Sequence, residues 1–398
     1  MSSLELPLGF RFAGVHCGIK KNPQKEDLTL VHCERGAVAA GVYTTNLVYA
    51  APVALDRERT PSGDVRVVIV NSGNANACTG ERGMNDAREM ARLAAAAVGA
   101  NEEQALVMST GVIGQFLPMD KIAAGAKAAA TKLGGDASSF ESAARGILTT
   151  DKGMKIASRS VQIGETTIRI AGMCKGAGMI GPQMATMLCV IATDAALMPS
   201  EAQAALKFAV DDSFNCISVE GHMSTNDTVL LLASGAADSK PLGNQELPLF
   251  EAALQELCVE LARQIPDDGE GASHLITIDV RGCKSKDDAL RIARNVADSA
   301  LVKTAIAGGD PNWGRIVSAA GYAGVPFDPA GVDLALNGYA LYQRGAPVAF
   351  DAKTVSASIK ESRETSVVLT FREGQAGIRF WTSDLNVEYV RFNADYTT

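Results

Sequence analysis

The chain has 398 residues, of which 47% are hydrophobic and 5% aromatic, and it carries a net charge of −8. That length allows one large domain or two to three ordinary ones, with enough apolar side chains for a substantial core. No basic stretch exceeds a pair or two, no apolar run approaches 18 residues, and Met1-Ser-Ser-Leu-Glu-Leu-Pro lacks the parts of a signal peptide. These facts argue against nucleic-acid binding and membrane insertion, and for a cytoplasmic location.

Strands are expected at 28–33, 37–43 and 65–70. The last, Val65-Arg-Val-Val-Ile-Val70, is apolar enough to be buried on both faces. It ends in Asn71-Ser-Gly-Asn-Ala-Asn-Ala-Cys78. This polar loop serves equally well as a site lining or as a capped turn before a helix near 84–98. A strand at 105–108 leads into Ser109-Thr-Gly-Val-Ile-Gly114, and helices follow at 119–132 and 139–147. A strand over 161–171 turns at Gly164-Glu165. An apolar strand is expected at 187–192, a helix at 200–210, a strand at 228–233 and a helix at 249–263. A strand at 274–280, a helix over 286–305 and strands at 367–371 and 378–381 complete the pattern. The fold expected is α/β of the α+β type: stacked β-sheets sandwiched by helices, with a smaller C-terminal α/β domain after about residue 285.

The segment Lys175-Gly-Ala-Gly-Met-Ile-Gly-Pro-Gln-Met-Ala-Thr-Met-Leu188 carries the most information. Its glycines at 176, 178 and 181, with Pro182, bend the chain just before a buried strand. Thr186 stands at the junction behind the small Ala185. If the Ala185–Thr186 bond were cut, Thr186 would gain an α-amine with a pKa of roughly 7.7–8 beside its own hydroxyl. Such an amine can act as the base that activates the hydroxyl. Residue types alone favour an ordinary glycine-rich turn.

The rest of the chain offers few competing nucleophiles. The four histidines, at 16, 32, 222 and 274, form no zinc pattern, and there is no Gly-x-Ser-x-Gly elbow. No metal site is expected. Eight dispersed cysteines without Cys-x-x-Cys read as reduced thiols, and Cys174 and Cys189 beside the junction are better gap fillers than nucleophiles. A threonine nucleophile needs an oxyanion hole. Thr110 supplies a hydroxyl and Gly111 an unobstructed backbone N–H, although a Ser-Thr-Gly turn alone is a weak signal. Arg315 beside Trp313 reads as a stacked structural pair rather than a substrate clamp.

The Lys175–Leu188 motif resembles the cleavage segment of the ornithine acetyltransferase (glutamate N-acetyltransferase) family, self-processing enzymes of arginine biosynthesis. Further matching blocks are Ser109-Thr-Gly111, Thr149-Thr-Asp151, Ser224-Thr-Asn-Asp-Thr228, Glu270-Gly-Ala-Ser-His274, Asp310-Pro-Asn-Trp-Gly-Arg-Ile316 and Asn393-Ala-Asp-Tyr-Thr-Thr398. With Asn71-Ser-Gly-Asn-Ala-Asn76 they span the chain from about Gly14 to its end. The resemblance implies cleavage between Ala185 and Thr186 into intertwined fragments, 1–185 and 186–398, paired as a heterotetramer. It also implies Thr186 as nucleophile and Thr110 and Gly111 as oxyanion hole. The substrate contacts would be Thr149 (or Thr150), Lys175, Thr186, Glu270, Asn393 and Thr398.

The implied reaction moves acetyl from N2-acetylornithine to glutamate through an acetyl-Thr186 ester. It needs no cofactor. Acetyl-CoA is a further candidate co-substrate, which no motif decides. The rival reading is an N-terminal-nucleophile aminopeptidase or amidase on the same scaffold. Departures from the family pattern are Ser273 and His274 in place of Thr-Lys, and Glu220 and His222 where aspartates are common. They put substrate preference in doubt more than reaction type.

Overall fold

The computed structural model describes residues 4–181, 187–238 and 240–395. The first sheet is built from β1 (Phe10–Val15), β2 (Leu28–Tyr43), β3 (Ser62–Asn74), β4 (Ala105–Val112), β5 (Lys155–Ile163), β6 (Thr166–Lys175) and β7 (Leu188–Thr193). The short β8 (Ile217–Ser218) joins the second sheet, and β9 (Thr228–Ala233) returns to the first. The first sheet has the order β4-β3-β2-β9-β7-β6-β5, with β1 paired on β2. The second is built from β10 (Leu275–Cys283), β11 (Asp333–Leu336), β12 (Tyr339–Gln343), β13 (Ala346–Pro347), β14 (Glu364–Thr370) and β15 (Ala376–Ser383). Its order is β13-β12-β11-β14-β10-β15-β8.

Helices α1 (Ala51–Arg59), α2 (Gly80–Val98), α3 (Met119–Ala130) and α4 (Ala137–Gly146) come from the first part of the chain. Helices α5 (Pro199–Asp211), α6 (Leu247–Asp267), α7 (Lys286–Ala297), α8 (Ala300–Ala307), α9 (Trp313–Gly321), α10 (Ala352–Lys360) and α11 (Val387–Asp395) come from the rest. The central strands are apolar on both faces because both are covered. On β7, Cys189 and Ile191 face one way, into a core shared with α5, α6 and the second sheet. Leu188, Val190 and Ala192 face the other way, in a core with Phe12 and Phe140 of β1 and α4. Helices α1 to α3 cover the β2–β4 half through a third cluster around Met90, Ile122 and Leu30. α6 touches β5 and β6 on one side and β8 and β15 on the other, so the two sheets share a continuous core. Among the described residues no helix is long and apolar enough to cross a membrane.

Three differences from the sequence expectation have local causes. The strands at 28–33 and 37–43 are one strand. The polar Glu34-Arg35-Gly36 interruption is absorbed by a shift of register against β3 between His32 and Ala37, with Gly36 at φ +86°. The helix over 286–305 is two helices. Asp298 closes α7, and the Ser299 hydroxyl accepts the Val302 N–H to start α8. Trp313 stacks on Tyr342 with ring centroids 5.2 Å apart, while Arg315 donates to the Leu301 carbonyl; the two do not stack on each other.

Candidate active site

A cleft of about 870 Å³, counting its open mouth, lies at the end of the first sheet and is lined by segments from across the chain. Its floor is the end of β4. β3 and β4 run parallel, pairing Ser72 with Thr110 and Gly73 with Gly111 before the register slips at Asn74. Gly111 has φ +133°, and a Cβ there would stand 2.3 Å from the Gly73 carbonyl carbon. Only glycine lets the two backbones cross this closely. The buried Thr110 and the half-buried Gly111 both line the cleft.

The Asn/Gly loop beyond β3 is a frame beneath this floor more than a lining. Asn71 Oδ1 accepts from the Ser109 hydroxyl at 2.6 Å, and its Nδ2 donates to the Asn74 carbonyl. Asn74 holds the carbonyls of Gln115 and Phe116, and Asn76 holds that of Gly83. Of the loop, Ala75 reaches the cleft. Asn226 closes the frame from the far side, donating to the carbonyls of Ala75 at 2.7 Å and Ser109 at 2.8 Å.

A chain of alternating charges runs along one side. Lys155, buried, bridges Asp151 at 2.7 Å and Asp268 at 2.6 Å. Asp151 Oδ1 also accepts the Gly176 N–H at 2.7 Å, and Oδ2 accepts the Thr149 N–H at 3.1 Å. Burial alone would raise the Asp151 carboxyl. Lys175 and then Lys155 overcome it and hold the group well below the usual carboxylate range. Burial lowers Lys175, with Asp151 and Glu270 opposing. Thr149, Thr150, Lys175 and Glu270 all line the cleft, so the choice between the two threonines stays open.

Glu270 is positioned from three directions. Its N–H donates to the Ala177 carbonyl at 2.8 Å, its Oε2 accepts from Asn393 Nδ2 at 3.1 Å, and its carboxylate rests on Gly178. Glu220, His222 and Tyr389 line the same cleft, with Glu220 and Tyr389 near enough to Glu270 to feel its charge. Glu220 Oε1 accepts the Ile180 N–H at 2.6 Å. Burial pushes this carboxyl up to about 8, opposed by the Ile180 N–H and reinforced by Glu270. Burial, then Glu220 and Glu270, push the Tyr389 hydroxyl up to about 12.

The junction Ala185–Thr186 and the C-terminal Thr398 lie outside the described residues. Both ends of the junction segment are described, and the leading end lines the cleft. Lys175 at the end of β6 pairs with Leu188 at the start of β7, and Gly178 and Met179 line the cavity. The Met187 N–H donates to Asp227 Oδ1 at 3.2 Å. Asp227 is fully buried, which pushes its carboxyl well above the usual range, and its Oδ2 has no hydrogen-bond partner among the described residues.

The family model described as ArgJ matches residues 11–398. The chain belongs to the ArgJ family. An arginine biosynthesis bifunctional protein ArgJ from Rhodopirellula baltica is 49% identical over 99% of this chain and 96% of its own. Its counterpart from Symbiobacterium thermophilum is 47% identical over 98% of each. The crystal structure of an ArgJ protein from Bacillus halodurans superposes with a TM-score of 0.50 at 36% identity. It matches 51% of this chain and 96% of that one.

Of the residues singled out from sequence, this ArgJ cleft brings together Thr110, Gly111, Thr149, Lys175, Glu270 and Asn393. Cys174 and Cys189 are buried cross-strand partners in the core; burial pushes the first thiol up to about 12 and raises the second well above the usual thiol range. They are core thiols. Ser273 and His274 are not cleft residues. Both are tied to Asp384, and His274 Nε2 lies 3.2 Å from the Ile359 carbonyl. Glu220 and His222 do line the cleft, so they are the departures that face it directly. Sequence reasoning missed Tyr389 and Asn226. Asn226 stood inside the Ser224–Thr228 motif, but Tyr389 carried no signal.

Proposed function

We propose that this chain is an acetyltransferase of arginine biosynthesis that moves acetyl from N2-acetylornithine to glutamate. The observation that carries this is the family match over residues 11–398, together with a single cleft that gathers Thr110, Gly111, a buried lysine and a positioned glutamate. In this reading Thr186 is the nucleophile, made competent by cleavage after Ala185. The Thr186 hydroxyl attacks the Ala185 carbonyl, the acyl group shifts from nitrogen to oxygen, and water hydrolyses the ester. The α-amine so released, with a pKa of roughly 7.7–8, takes the hydroxyl proton in the next reaction. The B. halodurans chain supports a cut near the middle, because almost all of it corresponds to half of this chain.

The mature nucleophile attacks the acetyl carbonyl of N-acetylornithine. The Thr110 hydroxyl and the Gly111 N–H hold the tetrahedral oxyanion, and the Thr186 amine returns its proton to the departing ornithine nitrogen. An acetyl-Thr186 ester remains. The glutamate amine attacks it and leaves as N-acetylglutamate. Thr149 or Thr150, Lys175, Glu270, Asn393 and Thr398 bind the substrates. The scheme uses no resident cofactor, and acetyl-CoA is a second candidate donor to the same ester. Fragments 1–185 and 186–398 stay paired, as a heterotetramer in the cytoplasm.

Intact mass spectrometry should show two fragments cut after Ala185, plus an acetyl group on the second when N-acetylornithine is added. Double-reciprocal plots for donor and acceptor should be parallel. A Thr186→Ala protein should stay full-length and inactive; a processed, active one would sink the scheme. If ornithine is released at a rate indifferent to glutamate, the aminopeptidase or amidase reading replaces it.

A further inference from the structure

One wall of the cleft brings two carboxyl groups and a phenol together: Glu220 from the loop after β8, Glu270 from the turn after α6, and the Tyr389 hydroxyl from α11. Of these, Glu270 already binds substrate in the transfer scheme, whereas Glu220 is a carboxyl for which the scheme names no task. Its Oε1 is fixed by the Ile180 N–H at 2.6 Å, while Oε2 is buried without a hydrogen-bond partner among the described residues. A buried carboxyl oxygen left unmatched is costly, and a bound molecule can complete it.

The substrates suggest what completes it. Each donor places its acetyl group at Thr110 and Gly111, and each carries an α-carboxylate. Lys175 is the one lysine or arginine among the described lining residues, and it suits that carboxylate. The side-chain ends remain for the acidic wall. They differ in charge, an ammonium in the ornithine substrates and a carboxylate in the glutamate ones. A permanent anion on the wall would repel the second, and a permanently neutral group would serve the first poorly.

We infer that Glu220 sets side-chain specificity: ionised, it pairs with the ammonium of the ornithine substrate, and protonated, it donates to the carboxylate of the glutamate substrate. This rests on the acetyl-transfer reading above. The surroundings keep both forms accessible. Burial and Glu270 favour the protonated form, and Asp298 adds to them. The Ile180 N–H and Lys303 favour the charged form, and the group is poised at about 8. His222, two residues on, and Tyr389 are the other titratable groups on this side of the cleft.

The test compares N-acetylornithine and N-acetylglutamate as acetyl donors, the second with ornithine as acceptor. Their side chains titrate near roughly 10.4 and 4.3, so neither changes charge between about pH 6 and 9. The ratio of the two kcat/KM values cancels the ionisation of the shared Thr186 amine. In the wild type the ratio should rise about tenfold per pH unit, because one donor needs the ionised and the other the protonated carboxyl. In Glu220→Gln the ratio should be flat, with N-acetylornithine weakened roughly ten- to a hundredfold at pH 9.

A flat wild-type ratio, or a slope that survives in Glu220→Gln, overturns the assignment. If the Gln variant does not fold, His222→Ala decides. A slope that persists there supports Glu220, and a slope that vanishes transfers the role to His222. Turnover of neither donor by the wild type would instead sink the acetyl-transfer reading, and this role with it.

Discussion

The carboxylate of Glu270 occupies the space a side chain at residue 178 would need. A Cβ on Gly178 would lie 2.3 Å from Glu270 Oε2 and 2.4 Å from its carboxyl carbon. The second glycine of the Lys-Gly-Ala-Gly motif therefore seats the cleft-lining glutamate as well as bending the loop.

Gly178→Ala should consequently act on function more than on stability. Gly178 is not in the left-handed region, and the clashing atoms belong to the movable end of a side chain. Glu270 would swing aside and lose its 3.1 Å bond from Asn393. The expected result is a fall of about tenfold or more in kcat/KM for N-acetylornithine, with the melting temperature within a few degrees of wild type. A protein that unfolds outright would contradict this placement.

The two oxyanion candidates should fail in different ways. Thr110→Ala removes a hydroxyl and leaves the backbone intact. It should lower kcat by roughly 10²–10³ with little change in stability. Gly111→Ala forces a Cβ to within 2.3 Å of the Gly73 carbonyl carbon at a φ of +133°. It should destabilise the β3–β4 crossing as well as abolish transfer. Kinetics and thermal melts on the two variants separate chemistry from architecture.

These assignments show where the sequence was readable. Thr110, Gly111, Lys175 and Glu270 sit in short motifs that resemble family blocks, although their residue types alone are weak signals. The frame that holds them is not readable that way. Asn226 reaches Ala75 and Ser109 across 151 and 117 residues of chain, a pairing that no local pattern encodes. The Glu34–Gly36 interruption read as a break between two strands because a bulge and a turn use the same residues. Helix α1 was missed because its nine residues, Ala-Pro-Val-Ala-Leu-Asp-Arg-Glu-Arg, are too few to establish a period.

Asp151 makes a pH-dependent contribution to stability. Lys175 and Lys155 hold its folded-state pKa well below the usual carboxylate range, so the contribution is complete above about pH 4 and fades as pH falls toward the folded value. Asp151→Asn breaks a buried pair beside Lys155 and removes the anion facing Lys175. The cost should be about 3–5 kcal/mol at neutral pH. Urea titrations should show the gap between wild type and variant narrowing below pH 4. A constant gap down to pH 2 would mean the Asp151 charge is not what matters.

The departures at Ser273 and His274 act at one remove from the substrate, through Asp384. This carboxylate accepts the N–H groups of Ser273 at 2.8 Å and His274 at 3.0 Å, the Ser273 hydroxyl, and a contact from His274 Nδ1 at 3.1 Å. It thus joins the turn bearing Glu270 to the segment between β15 and α11, the helix that carries Tyr389 and Asn393. Asn386 adds a second tie, donating to the Gly271 carbonyl at 2.8 Å. Asp384→Ala would leave several donors unmatched and let Glu270 and Asn393 drift apart. The floor at Thr110 and Gly111 belongs to the other sheet and should keep its geometry. The expected pattern is a stability loss of about 2–4 kcal/mol and a KM for N-acetylornithine raised about tenfold, with kcat within about threefold. Asp384→Asn, which keeps an acceptor, should fall between. A collapse of kcat at unchanged KM would show that the Asp384 tie positions the reacting groups rather than the substrate contacts.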